Sequence, residues 1–170
     1  MPISIDELRR AAARFKAPKV RTLLEAINQG LKTVFLCHSH HDELLVKGVI
    51  MLLEEAGWRV YVDWADTSMP ETPNRETAER IQQKIVQLNY FLFLATTKSM
   101  SSRWCPWEIG YADGKKPIDQ ILILPTTEGA TTHGNEYLQL YRRIEFSSMG
   151  QLAVWQPGQT TNGILVQNLL

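Results

Sequence analysis

Thr33-Val34-Phe35-Leu36-Cys37-His38-Ser39-His40-His41-Asp42 is an apolar run that stops at a polar stretch, with a helical pattern behind it. An apolar run without alternation reads as a strand buried on both faces, the kind found in parallel sheets covered by helices. From Asp42 to Ala56 the residues Leu44, Leu45, Val49, Leu52 and Leu53 recur at helical spacing, and Gly57 stops them. The unit then repeats. Arg59-Val60-Tyr61-Val62-Asp63 reads as a second strand, 64–73 as a loop with Pro70 and Pro73, and Asn74 to about Leu88 as a helix. Tyr90-Phe91-Leu92-Phe93-Leu94-Ala95 is the third strand, followed by a helix that carries Glu108. Gln120-Ile121-Leu122-Ile123-Leu124 is the fourth.

Strand and helix alternating at this interval predict parallel βαβ units with right-handed crossovers. The expected fold is α/β: a flavodoxin-like open parallel sheet of about five strands with helices on both faces, plus an N-terminal helical segment. Residues 1–30 form that segment. Ser4 and Glu7 stand as a capping box with Ile3 and Leu8 as its staple, Ala17-Pro18 breaks the first helix, and a second helix (Val20, Leu23, Leu24, Ile27) ends at Gly30. Its six basic residues between Arg9 and Arg21 read as a solvated face, with a docking surface as the alternative. Residues 31–170 form the main domain. Past 125 the expectation is a short helix over 136–142, then a hairpin about Ser148-Met149-Gly150 or a fifth strand with an edge partner, then an apolar tail packed back on the domain.

A chain of 170 residues, 44% apolar and 21% charged, has the composition of a soluble globular domain with a real core. Its 18 basic and 18 acidic side chains cancel, so charge gives no argument for nucleic acid or a membrane surface. No apolar run is long enough for a membrane span and no signal segment is evident. The two cysteines, Cys37 and Cys105, read as reduced thiols, so the expected location is cytoplasmic.

In an open parallel sheet ligands sit beyond the carboxyl ends of the strands. Those ends carry Cys37 to His41, Asp63 to Asp66 and Thr96 to Arg103, which gathers the polar loops at one rim. In Ser101-Ser102-Arg103-Trp104-Cys105-Pro106-Trp107-Glu108-Ile109 a helix is expected to open, with Ser101 or Ser102 capping it and Pro106 in its first turn. Trp104 and Glu108 are four apart and would share a face, an aromatic plane beside an anion. The plainer reading is a half-buried Trp and a Glu placed to suit the helix dipole. Asp63 is open between an acidic site and a loop cap. Trp58, Trp107 and Trp155 are expected in core or interface packing. No metal site is expected at His38-Ser39-His40-His41, because neighbouring residues at a strand end diverge, no second ligand group is evident and His133 stands alone. The chain has no P-loop, no GxGxxG and no GxSxG.

From about Lys32 to Leu124 the chain resembles a Toll/interleukin receptor (TIR) domain. Val34 to Asp42 is similar to the family's first motif, Trp64 to Pro73 to its loop after the second strand, and Ser102-Arg103-Trp104-Cys105-Pro106-Trp107-Glu108 to its Ser-x-Trp-Cys-x-x-Glu pattern. Cys37 stands where a Ser is common in the family. Many bacterial and plant members cleave the glycosidic bond of NAD with the Glu of that pattern, which is Glu108 here. The resemblance implies NAD as substrate with no cofactor, and contacts to the substrate from His38, Ser39, Asp63 and Trp104. It implies self-association through surfaces that include the 64–73 loop. A short TIR protein further resembles the signal-generating component of Thoeris-type anti-phage systems, whose ADP-ribose-derived messenger is read by a separate effector. Two other readings use the same residues. A non-catalytic TIR interaction module would tolerate Glu108→Ala but not changes in 64–73. A nucleoside 2-deoxyribosyltransferase-like enzyme would turn over deoxynucleosides and ignore NAD.

Overall fold

The computed structural model describes residues 1–16, 23–66, 74–137 and 139–169, apart from the side chains of Leu23, Leu24 and Trp64. Ala17-Pro18, Val20 and most of the 64–73 loop therefore lie outside the described residues. The strands in chain order are β1 (Ile3–Ser4), β2 (Lys32–Cys37), β3 (Trp58–Tyr61), β4 (Tyr90–Ala95), β5 (Ile121–Glu128), β6 (Thr131–His133), β7 (Arg142–Phe146), β8 (Leu152–Trp155) and β9 (Ile164–Leu165). They form one sheet ordered β3-β2-β4-β5-β7-β8-β9, parallel from β3 to β7 and antiparallel beyond. The five parallel strands thus lie second, first, third, fourth, fifth in chain order, the flavodoxin-like arrangement, with its switch point between β2 and β4.

The apolar runs explain the layering. Along β2 and β4, Val34, Leu36, Leu92 and Leu94 enter one core, while Phe35, Phe91 and Phe93 enter the other. Side chains alternate across a strand, so a run apolar at every position must be covered on both faces. α3 (Glu43–Glu55) covers the first face through Val46, Val49 and Leu53. α4 (Arg75–Gln87) and α6 (Cys105–Lys115) cover the second through Ile81, Ile85 and Ile109. Each fully buried Leu or Phe side chain contributes about 1.5–3 kcal/mol, and this two-sided burial fixes the sheet.

The N-terminal residues join the first layer. Ser4 and Glu7 make the expected capping box at the start of α1 (Ile5–Ala12), and Ile3 and Leu8 are fully buried. Ile3 also pairs in parallel with Thr126 of β5. α1 lies so close to α3 that a Cβ on Gly48 would come within 2.1 Å of the Leu8 carbonyl oxygen. α2 (Leu23–Asn28) is followed by a turn at Gly30, whose φ of +69° suits it.

The region past 125 departs from expectation. Instead of a helix over 136–142, a short 3-10 turn at Asn135–Tyr137 follows Gly134, and β7 begins at Arg142. Tertiary contacts override the helical spacing: Tyr137 meets Phe93 edge-on at 5.4 Å, and the Tyr141 hydroxyl donates to Asp113 Oδ1 at 3.0 Å. β7 is both a fifth parallel strand and half of a hairpin with β8, so the two expected alternatives are one structure. The tail packs back as expected, with Trp58 Nε1 donating to the Val166 carbonyl at 3.1 Å.

Candidate active site at the carboxyl rim of the sheet

Three chain segments leave the sheet beside its switch point and carry the candidate residues. β2 runs out through Cys37 and His38 into Ser39, which caps the 3-10 turn His40–Asp42 by accepting from the His41 N–H at 3.3 Å. β3 runs out into the turn Asp63–Ala65. β4 leads into Thr96, whose hydroxyl and Ser99 box the short helix α5 (Thr97–Met100), a helix hidden from the sequence by its four-residue length. The Thr96 hydroxyl also donates to buried Asp42 at 2.5 Å, which ties the β2 and β4 loops together.

α6 then opens with Trp104 at its N-cap position and Pro106 in its first turn. The N-cap is thus Trp104, without a side-chain cap bond, rather than a serine; Ser102, two residues earlier, accepts from the N–H groups of Trp104 (3.1 Å) and Cys105 (3.4 Å). Glu108 is one turn in and only 6% exposed. Burial pushes its carboxyl up to about 7; a hydrogen bond from Cys37 pulls it down, and the Asp63 anion adds to the rise. Glu108 is therefore a carboxyl poised to change charge near neutrality, buried rather than on a solvated helix start. The Cys37 thiol is pushed up by burial and stays protonated as the donor.

Asp63 gathers the histidines. Its Oδ1 lies 3.7 Å from His38 Nε2 and its Oδ2 lies 3.8 Å from His40 Nε2. His38 is buried, and burial lowers its pKa against the opposing pull of Asp63. His38 Nδ1 stands 2.8 Å from the Leu36 carbonyl oxygen, so that nitrogen carries the proton and Nε2 points at Asp63. Asp63 thus contacts two histidines of the β2 loop from the turn after β3. The side chains of His38 and His40 do not diverge, because extended backbone at Ser39 puts residues 38 and 40 on one side, and β3 delivers Asp63 to them.

Glu108, Asp63 and His38 are therefore brought into one neighbourhood. Ser39 is buried there with its hydroxyl engaged in the turn. Trp104 is partly buried against the second core, and its ring meets Trp107 edge-on at 5.5 Å. Trp107, expected in packing, is 37% exposed and stacks on Tyr111 at 6.1 Å. Cys37 and His40 are expected at this rim but not among the substrate contacts. The structure sets Cys37 in the second core beside Glu108, and His40 Nε2 3.8 Å from Asp63 Oδ2.

Comparison with known proteins points to one family. The family model described as "TIR domain" matches residues 34–153. The chain is 33% identical over 113 residues to a Bacillus cereus (strain MSX-D12) protein named as a probable 3' cyclic ADP-D-ribose synthase, ThsB'. That alignment covers 64% of this chain and 58% of the relative. It is 26% identical over 88 residues to a Cytobacillus dafuensis protein, TIR2, named for cyclic ADP-D-ribose synthesis, covering 50% of this chain and 23% of that one. The match thus spans less than two thirds of either relative.

Proposed function

The chain belongs to the TIR domain family, and from that premise we propose that it cleaves the bond between nicotinamide and ribose in NAD. The observation that carries the reading is Glu108: a buried carboxyl titrating near neutrality, at the carboxyl rim of a parallel sheet, on the family's Ser-x-Trp-Cys-x-x-Glu pattern. Breaking the glycosidic bond builds positive charge on the ribose, as in glycoside cleavage. Nicotinamide departs as a neutral base, so no acid has to protonate it. One carboxylate held beside the ribose, in surroundings poor in water, is then the main requirement.

Glu108 takes that role as the anion, and the cationic nicotinamide ring of the substrate favours its ionised form. A hydrogen bond from Cys37 favours the ionised form of the same carboxyl. Asp63 and His38 contact the ribose and phosphates, Ser39 shapes their turn, and Trp104 offers its ring to nicotinamide. The names of the relatives support a cyclic ADP-ribose product. Cyclisation requires a hydroxyl of the same molecule to capture the ribosyl cation before water does, and the burial of Glu108 fits that need.

On the same reading the protein acts in the cytoplasm in anti-phage defence, a separate effector reads its messenger, and self-association through a surface including 64–73 completes the site. Among the described residues no helix is long and apolar enough to cross a membrane. The test is incubation of concentrated protein with NAD and mass spectrometry of the products. Nicotinamide with an ADP-ribose isomer of distinct retention supports the cyclase, and nicotinamide with linear ADP-ribose supports a plain hydrolase. Intact NAD at every protein concentration, with deoxynucleosides also untouched, would favour an interaction module.

A further inference from the structure

The donor atoms at the ends of β2 and β3 have a geometry that substrate contacts alone do not require. One ring nitrogen each of His38 and His40 and a carboxylate oxygen of Asp63 all lie within 4.8 Å of one another. We propose that His38, His40 and Asp63 form a binding site for a divalent transition-metal ion of the zinc type.

Three features carry this. First, the tautomer of His38 is fixed. A carbonyl oxygen can only accept, so the 2.8 Å contact with Leu36 places the proton on Nδ1 and leaves the lone pair of a neutral ring on Nε2. Metal-bound histidines are held in this way, donating their other ring N–H to a backbone carbonyl or carboxylate. Second, the two oxygens of Asp63 are shared between the two rings, at 3.7 and 3.8 Å, so nitrogen and oxygen lone pairs converge on one space. Third, the site is built on stiff elements with one movable part. His38 is held at the end of β2 and Asp63 at the turn after β3, while the His40 side chain is 65% exposed and free to swing inward.

Zinc–nitrogen bonds of about 2.0–2.1 Å in tetrahedral geometry set donors roughly 3.3 Å apart. Closing from the observed spacing takes movements of about an ångström, within reach of a rotation of His40. Two imidazoles and one carboxylate suit zinc, cobalt, nickel or copper and disfavour magnesium and calcium, which take oxygen donors. The fourth position is left to water or to a ligand's oxygen. His38 and Asp63 also serve the substrate in the proposed function, so, resting on that reading, an ion bound here competes with NAD.

The experiment is calorimetric titration of the full chain, purified without metal, with zinc chloride at pH 7.5, beside His40→Ala, Asp63→Asn and Cys105→Ala. Cobalt chloride gives a second readout in its visible absorption. One equivalent bound, weakened at least about tenfold in His40→Ala and Asp63→Asn and unchanged in Cys105→Ala, is the expected result. Circular dichroism establishes that each variant is folded. No binding by the wild-type chain, or binding lost with Cys105 and kept without His40, overturns the proposal. Because calorimetry reads the ion directly, absence of NAD cleavage by the metal-free chain would count against the proposed function and leave the metal site standing.

Discussion

Glu108→Gln is expected to make the protein more stable above neutral pH while abolishing its chemistry. In the fold the Glu108 carboxyl holds its proton up to about 7, against an ordinary value of 4.5. Between those values the folded chain binds a proton that the unfolded chain has released, so the group's contribution to stability falls as pH rises through that window. Above it the ionised carboxylate costs roughly 3 kcal/mol, the free-energy equivalent of the displaced titration. Glutamine keeps the shape and carries no charge. The two proteins should therefore be of similar stability near pH 4 and diverge with pH. By pH 8 the variant gains up to about 3 kcal/mol, or roughly 6–12 °C in Tm for a domain of this size. Urea unfolding of both proteins from pH 4.5 to 8.5 measures it. A stability difference that does not change with pH would refute the reasoning, because it would mean the carboxyl is not held protonated by the fold.

Other perturbations follow from the same contacts. Cys37→Ala removes a hydrogen bond that holds the Glu108 carboxyl down, so the acidic limb of the pH–rate profile should move to higher pH, with Cys37→Ser restoring it. An unmoved limb in the alanine variant would separate Cys37 from Glu108. Thr96→Val leaves the buried Asp42 carboxylate without the hydroxyl that binds it at 2.5 Å, and should cost about 1–3 kcal/mol in chemical denaturation. Gly48→Ala drives a Cβ into the Leu8 carbonyl, so about 1–3 kcal/mol should be lost as α1 moves off α3. Amide exchange in α1 rising ahead of exchange in β2 and β4 would locate that loss.

The parallel sheet was legible because its strands carry apolar residues at every position. Val34 to Cys37 and Phe91 to Ala95 admit no face for water, and only helices on both sides satisfy them. Capping chemistry was equally readable at Ser4 and Asn74, where a local hydrogen bond decides the outcome. The segment 135–142 was not, since Tyr137 and Tyr141 answer to Phe93 and Asp113, partners distant in sequence. The candidate site divides along the same line. Glu108 and the strand-end residues could be found from position alone. That Cys37 donates to Glu108, that Asp63 spans His38 and His40, and that Glu108 is buried enough to titrate near 7 all depend on three strand ends meeting across the switch point.

The central claim is that the Glu108 anion drives cleavage of the nicotinamide–ribose bond. Its most direct test is the rate of nicotinamide release from NAD at pH 8 by wild-type protein and Glu108→Gln at equal, high concentration, with unfolding curves establishing that both are folded. The account predicts a fall of at least about a hundredfold in the variant, the loss typical of one preorganised electrostatic group. Equal release by the two proteins would contradict it.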